Sequence, residues 1–305
     1  MRPLRSISKL FFLTLFLLPF LGSRALAAAC CGGGFAAPAL IVGDDKGQFA
    51  ASYAYSQIED DVGADSLWRK RDSTEVSETY KFEAARIFWD RWQVGLSAPV
   101  VRRSRADDAS TGLGDVAGTL GYEYLPDWDY NPWKPRGVGY LQVTLPTGRS
   151  PDESDDSFQL DSRGRGFFAL GAGTILTKII HKWDVYANLE AHRSFNKAYS
   201  NSQSVGTLKP GWGGELGIGG GYNLAKFRFG TSLTWTYEDP IAVEGSIDSP
   251  GSVQRYATGT LAASYLFKNE WTATLTYADQ TLFGNPVNTS LGRGAILLLQ
   301  KRWLR

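Results

Sequence analysis

The sequence predicts an all-β protein: a single antiparallel transmembrane β-barrel of about twelve strands behind a cleaved signal peptide. A two-residue period, the lack of any spanning helix after the leader, and alternating loop lengths predict it. The period is clearest from Trp183 to His192. Trp183, Val185, Ala187, Leu189 and Ala191 are apolar, and Asp184, Tyr186, Asn188, Glu190 and His192 are polar or amphipathic, so the strand has two unlike faces. The same unit recurs at 227–235 and 271–277.

Residues 1–29 differ. Arg2, Arg5 and Lys9 precede the apolar run 10–21, and Ala25-Leu26-Ala27 supplies small residues at a cleavage site. That is a secretory signal, with too short an apolar part to span a bilayer. Its removal takes four basic residues, leaving 28 of 32 against 31 acidic ones. That balance shows no nucleic-acid footprint. After the signal no window of eighteen apolar residues remains, so membrane residence requires a barrel.

Residues 30–46 read as a flexible leader rich in Gly, Ala and Pro, long enough to enter and plug a lumen. Cys30 and Cys31 are adjacent and staple nothing long-range. Lipid attachment at Cys30, a small metal or redox site, and an inert tag stay open as readings.

The barrel is expected over 47–305. Its segments lie near 48–58, 78–89, 91–101, 113–125, 136–147, 165–178, 182–194, 212–222, 226–238, 254–267, 270–280 and 292–303, each near the length of a tilted membrane strand. In the second segment Tyr80, Phe82 and Ala84 share one parity and Ala85 and Ile87 the other, which suggests a bulge. The glycines at 112, 114, 118, 121, 217 and 219–221 sit inside strand patterns, and read as bends and close packing rather than phosphate loops.

Connections near 90, 180, 224 and 268 are tight, and 126–135 is the longest of that class. Those at 59–77, 102–112, 148–164, 195–211, 239–253 and 281–291 are long and hydrophilic. Outer-membrane barrels have this asymmetry, with short periplasmic turns, so both termini are expected in the periplasm. Trp89, Trp92, Trp133, Trp183, Trp271 and Trp303 gather at the tight turns as a membrane girdle. The long loops carry acidic clusters such as Glu59-Asp60-Asp61 and Glu238-Asp239, read as solvated charge.

Two stretches carry a family resemblance. Thr111-Gly-Leu-Gly-Asp115-Val with Gly121-Tyr-Glu-Tyr, and Val143-Thr-Leu-Pro-Thr-Gly148 with Gly164-Arg-Gly and Ala169-Leu-Gly-Ala-Gly, resemble the outer-membrane proteins of the MetA-pathway-of-phenol-degradation type. The resemblance implies an outer-membrane transporter-like barrel and passage of small, aromatic or hydrophobic molecules.

Twelve strands leave a narrow, partly filled lumen. By parity Glu123, Asp184, Asn188, Glu190, His192, Glu215, Arg228, Thr272, Thr274 and Thr276 face inward as pore-lining residues, with Arg228 expected to pair with Glu215 or another carboxylate. The expected function is a channel or transporter with a polar constriction. One alternative is an enzyme: His192-Arg-Ser194-Phe-Asn196 resembles the His-x-Ser-Asn motif of outer-membrane phospholipases, but Phe195 breaks the motif and parity turns His192 away from lipid. The other is a surface-interaction barrel. No catalytic residue, metal or cofactor is expected. The expected partners are the lipid bilayer, a small-molecule solute and the barrel-assembly machinery.

Overall fold

The computed structural model describes residues 38–128, 131–156, 158–200, 205–246 and 248–304. Cys30, the signal and most of the leader lie outside these residues. The first half of the chain forms β1 (Asp45–Val62), β2 (Trp68–Phe88), β3 (Trp92–Arg105), β4 (Asp108–Leu113), β5 (Val116–Leu125), β6 (Arg136–Leu145), β7 (Ala169–Ile180) and β8 (Trp183–Ser194). The second half forms β9 (Lys197–Ser200), β10 (Val205–Lys209), β11 (Trp212–Leu224), β12 (Phe227–Glu238), β13 (Ala242–Gly245), β14 (Gln254–Leu266), β15 (Trp271–Asp279) and β16 (Thr289–Leu304).

Twelve of these close a ring in the order β2-β1-β16-β15-β14-β12-β11-β8-β7-β6-β5-β3, with β3 returning to β2. Every neighbouring pair is antiparallel. Closure removes the unpaired edges that an open sheet would expose. β4 extends the ring beside β3, and β9, β10 and β13 form a small separate sheet from two of the long connections.

The tight turns lie at 89–91, 181–182, 225–226 and 267–270. Trp89, Asp90, His181, Ala225, Asn269 and Glu270 adopt positive φ there, as hairpin turns matched to strand twist require. Asp45 pairs with Leu304, so the start of β1 and the end of β16 share this rim. Two connections expected as loops are hairpins instead. β1 and β2 pair as far as Val62 and Trp68, and β3 and β4 as far as Arg105 and Asp108, since charged alternating residues form good strands where both faces meet water. Conversely, residues 165–168, expected in a strand, belong to the loop before β7.

The barrel is inside out relative to a soluble fold. Phe82, Val94, Leu96, Leu141, Val185, Leu189, Phe229, Leu261, Leu275, Leu297 and Leu299 are exposed on its outer wall, whereas Lys81, Gln93, Thr119, Glu123, Asp184, Arg228, Thr274 and Thr276 are buried. A wall this apolar has a lipid bilayer as its solvent.

The expected bulge in β2 is absent: the β2–β3 register runs unbroken from Glu75–Arg105 to Phe88–Trp92. Ala85 and Ile87 are apolar because Ile41 packs on them inside the barrel. A second chain segment in the lumen made an inward position look outward.

Candidate functional site: the lumen and its two closures

Residues 38–43 lie inside the ring. Leu40 packs on Val138, Tyr140 and Ile175, with Val42 beside it. Gln93 is wholly buried and uses both ends of its carboxamide on Ile41: Oε1 accepts the Ile41 N–H at 2.6 Å, and Nε2 donates to the Ile41 carbonyl at 3.1 Å. Gln48 Nε2 donates to the Leu40 carbonyl at 2.9 Å. Two wall glycines make the seat. A β-carbon at Gly95 would lie 1.9 Å from the Ala39 carbonyl oxygen, and one at Gly121 would lie 2.8 Å from Leu40 Cδ2. Gly121, read from sequence as a packing glycine, leaves room for this segment.

The opposite mouth is crossed by residues 146–168. Arg103 of β3 donates to the carbonyls of Gln159 and Ser162, both at 3.0 Å, and Arg165 pairs with Glu238 of β12. β3 and β12 stand six places apart in a ring of twelve, so the loop bridges the mouth across its diameter. Leu160 and Phe167 of the loop are buried.

Asp115 fastens this loop at the break between β4 and β5. Its Oδ1 accepts the Gly148 N–H at 3.0 Å, and its Oδ2 accepts those of Arg165 and Gly166 at 2.7 and 3.3 Å. Thr147 Oγ1 accepts the Val116 N–H at 3.0 Å and donates to the Gly114 carbonyl at 2.7 Å. The segments around Gly114-Asp115, Thr147-Gly148 and Gly164-Arg-Gly166 are far apart in sequence and meet at one carboxylate. A β-carbon at Gly164 would lie 2.3 Å from Asp115 Oδ1.

The residues predicted to line the lumen are buried or half-buried and fall in three groups. Glu190, His192 and Glu215 meet toward the loop-covered mouth, where His192 Nδ1 lies 3.1 Å from Glu190 and its Nε2 lies 3.2 Å from Glu238. Both ring nitrogens thus face carboxylates rather than Ser194. Glu238, read as loop charge, faces inward as the last residue of β12.

Toward the tight-turn rim, Asp184 and Arg228 form a fully buried pair, with Nε–Oδ2 at 2.8 Å and Nη2–Oδ1 at 2.5 Å. Asn223 adds a bond to Asp184 at 2.8 Å. Arg228 therefore meets Asp184, not Glu215, because the register sets Asp184 beside Gly221 and Gly221 beside Gly230, leaving the guanidinium space at a glycine. At the same rim Glu123 pairs with Arg136 at 2.6 Å.

Asn188 accepts the Tyr140 hydroxyl at 3.3 Å, Thr274 donates to Ser264 at 2.9 Å, and Thr272 is half-buried on the same face. Gln93 and Tyr140 were not singled out from sequence, although Gln93, polar between outward Trp92 and Val94, carried a readable signal; Asp115 and Arg165 stood only within the motifs of the family resemblance and Glu238 only as loop charge.

Trp89 and Trp133 are 83% and 91% exposed at the tight-turn rim, and Trp92, Trp183, Trp271 and Trp303 are exposed there too. Trp183 meets Tyr222 and Trp92 meets Tyr122 with ring centroids 4.9 and 4.8 Å apart. The aromatics do not gather at one rim alone: Trp212, Trp235, Tyr237, Phe168 and Phe195 are exposed near the opposite one, giving the two belts of a spanning barrel.

No protein-family model and no curated protein matches the chain. Among solved structures it is similar to the COG4313 outer membrane channel from Pseudomonas putida F1, at 14% identity and a TM-score of 0.70, over 89% of this chain and 99% of that one. Weaker likeness extends to the toluene transporter TodX of Pseudomonas putida (10% identity, 85% and 88% covered, TM-score 0.43) and to the translocator domain of the autotransporter NalP from Neisseria meningitidis (10%, 85% and 90%, 0.48). The chain has the fold of the first of these, a closed twelve-stranded barrel.

Proposed function

We propose that the chain is an outer-membrane passage for small apolar or amphipathic solutes, stoppered by residues 38–43 and covered on the far side by residues 146–168. The observation that carries this reading is the stopper. Residues 38–43 are no part of the wall, yet a buried side chain and two wall glycines are fitted to them. A merely structural barrel needs no such seat, since inward side chains can fill the lumen.

Outer-membrane residence, with the tight turns and both termini toward the periplasm, is the orientation this reading takes; the apolar wall, the two aromatic belts and the sorting of connections by length support it. Residues 1–29 act as the cleaved secretory signal. The likeness in fold to an outer membrane channel supports the same use here. Glu190, Glu215, Asn188 and the inward threonines line the path. Planar-bilayer recording of the refolded mature protein tests the proposal: deleting residues 32–43 raises unitary conductance, and unchanged conductance overturns it.

A further inference from the structure

Between the stopper and the far half of the ring lies a cavity of about 240 Å³. A cavity near 150 Å³ accepts benzene, so this one has room for a single ring with a short side chain. Its lining is mixed. Leu40 of the stopper, Ile175 and Ile296 are apolar; Glu215, Thr236 and Tyr256 lie on the neighbouring strands β11, β12 and β14, between the strands of the two isoleucines. No lysine, arginine or histidine lines it, and Glu215 is its one ionisable carboxylate.

The other carboxylates nearby are paired. Glu190 and Glu238 flank His192, and Glu238 also holds Arg165. Among the described residues Glu215 makes no salt bridge. An ionised carboxylate only accepts hydrogen bonds, and a charge in a low-dielectric setting is stabilised by an opposite charge within a few ångströms.

We propose that this cavity binds small aromatic or aliphatic amines, with the ammonium group on Glu215 among the hydroxyls of Thr236 and Tyr256, and the hydrocarbon body against Leu40, Ile175 and Ile296. The inference rests on the lumen being the solute path and adds a preference among solutes.

Equilibrium dialysis of the refolded protein in detergent against 2-phenylethylamine and 2-phenylethanol tests it. The two share a skeleton and differ in the head group. The wild-type protein binds the amine about ten-fold or more tighter, as a charge-assisted bond over a neutral one predicts. Glu215→Gln removes that preference and keeps the alcohol, and Ile296→Trp, which fills the cavity from β16, weakens both.

Equal binding of the two solutes, a preference surviving in Glu215→Gln, or binding of neither overturns the proposal. Conductance that still rises on deleting residues 32–43 then leaves the passage itself standing. Unchanged conductance beside a Glu215-dependent amine preference instead removes the passage and leaves a binding barrel.

Discussion

Gln93 holds Ile41 by two hydrogen bonds of 2.6 and 3.1 Å across 52 residues of chain. The side chain stands in for a neighbouring strand and satisfies backbone groups that would otherwise be orphaned inside the barrel. Leaving one buried backbone group unpaired costs about 1–3 kcal/mol. Gln93→Leu therefore loosens the stopper without touching a ladder hydrogen bond. Higher conductance, with faster protease clipping near residues 38–43, is the expected result. A closed, protected variant would show that apolar packing of Leu40 and Ile41 suffices.

The seat can also be filled. In Gly95→Val the new side chain occupies the place of the Ala39 carbonyl, so residues 38–43 leave the lumen while the outer wall stays unaltered. Conductance resembling that of the deletion, with normal heat-modifiable migration of the folded barrel, checks it.

Asp115 accepts three backbone N–H groups of the covering loop. Asp115→Ala releases residues 148–166, and trypsin then cuts at Arg163 and Arg165 while the barrel stays intact. Asp115→Asn keeps one acceptor oxygen and falls between the two. Equal resistance of all three proteins would assign the loop's order to Arg103 and Arg165 instead.

The buried pair of Asp184 and Arg228 contributes chiefly through what its breaking exposes. Arg228→Met strands a buried carboxylate and destabilises the barrel by about 3–5 kcal/mol, whereas replacing both with Leu and Met is close to neutral. Urea unfolding in lipid vesicles measures both. A single variant as stable as wild type would mean that water reaches Asp184.

Acid loosens the covering loop. The Lys197 ammonium donates to Glu153 at 2.7 Å and holds its carboxyl below the ordinary value of 4.5. A folded-state value below the unfolded one gives stability that is complete above the unfolded value and lost as pH falls through the folded one. Current fluctuations should thus rise as pH drops below 4.5, and Lys197→Met should show the neutral-pH counterpart of that noise. A pH-independent record in wild type would remove Glu153 from the loop's restraint.

The twelve strands, the closed ring and the sorting of connections by length were legible in sequence. Each follows from a two-residue period or a turn signal, and both are local. The partner of Arg228 was not legible, because parity gives a side chain's face while register across three strands decides whom it meets. The meeting of residues 114–115, 147–148 and 164–166 at Asp115 needed the same closure.

The sequence by itself determined that this chain is a barrel with a greasy wall and a polar interior, since alternation writes the two faces directly. Only the tertiary structure decided what occupies the interior. Ala85, Ile87, Gly95 and Gly121 break the polar-inside pattern because Ala39, Leu40 and Ile41 press on them, and a window of neighbouring residues shows such a break without showing which distant segment causes it.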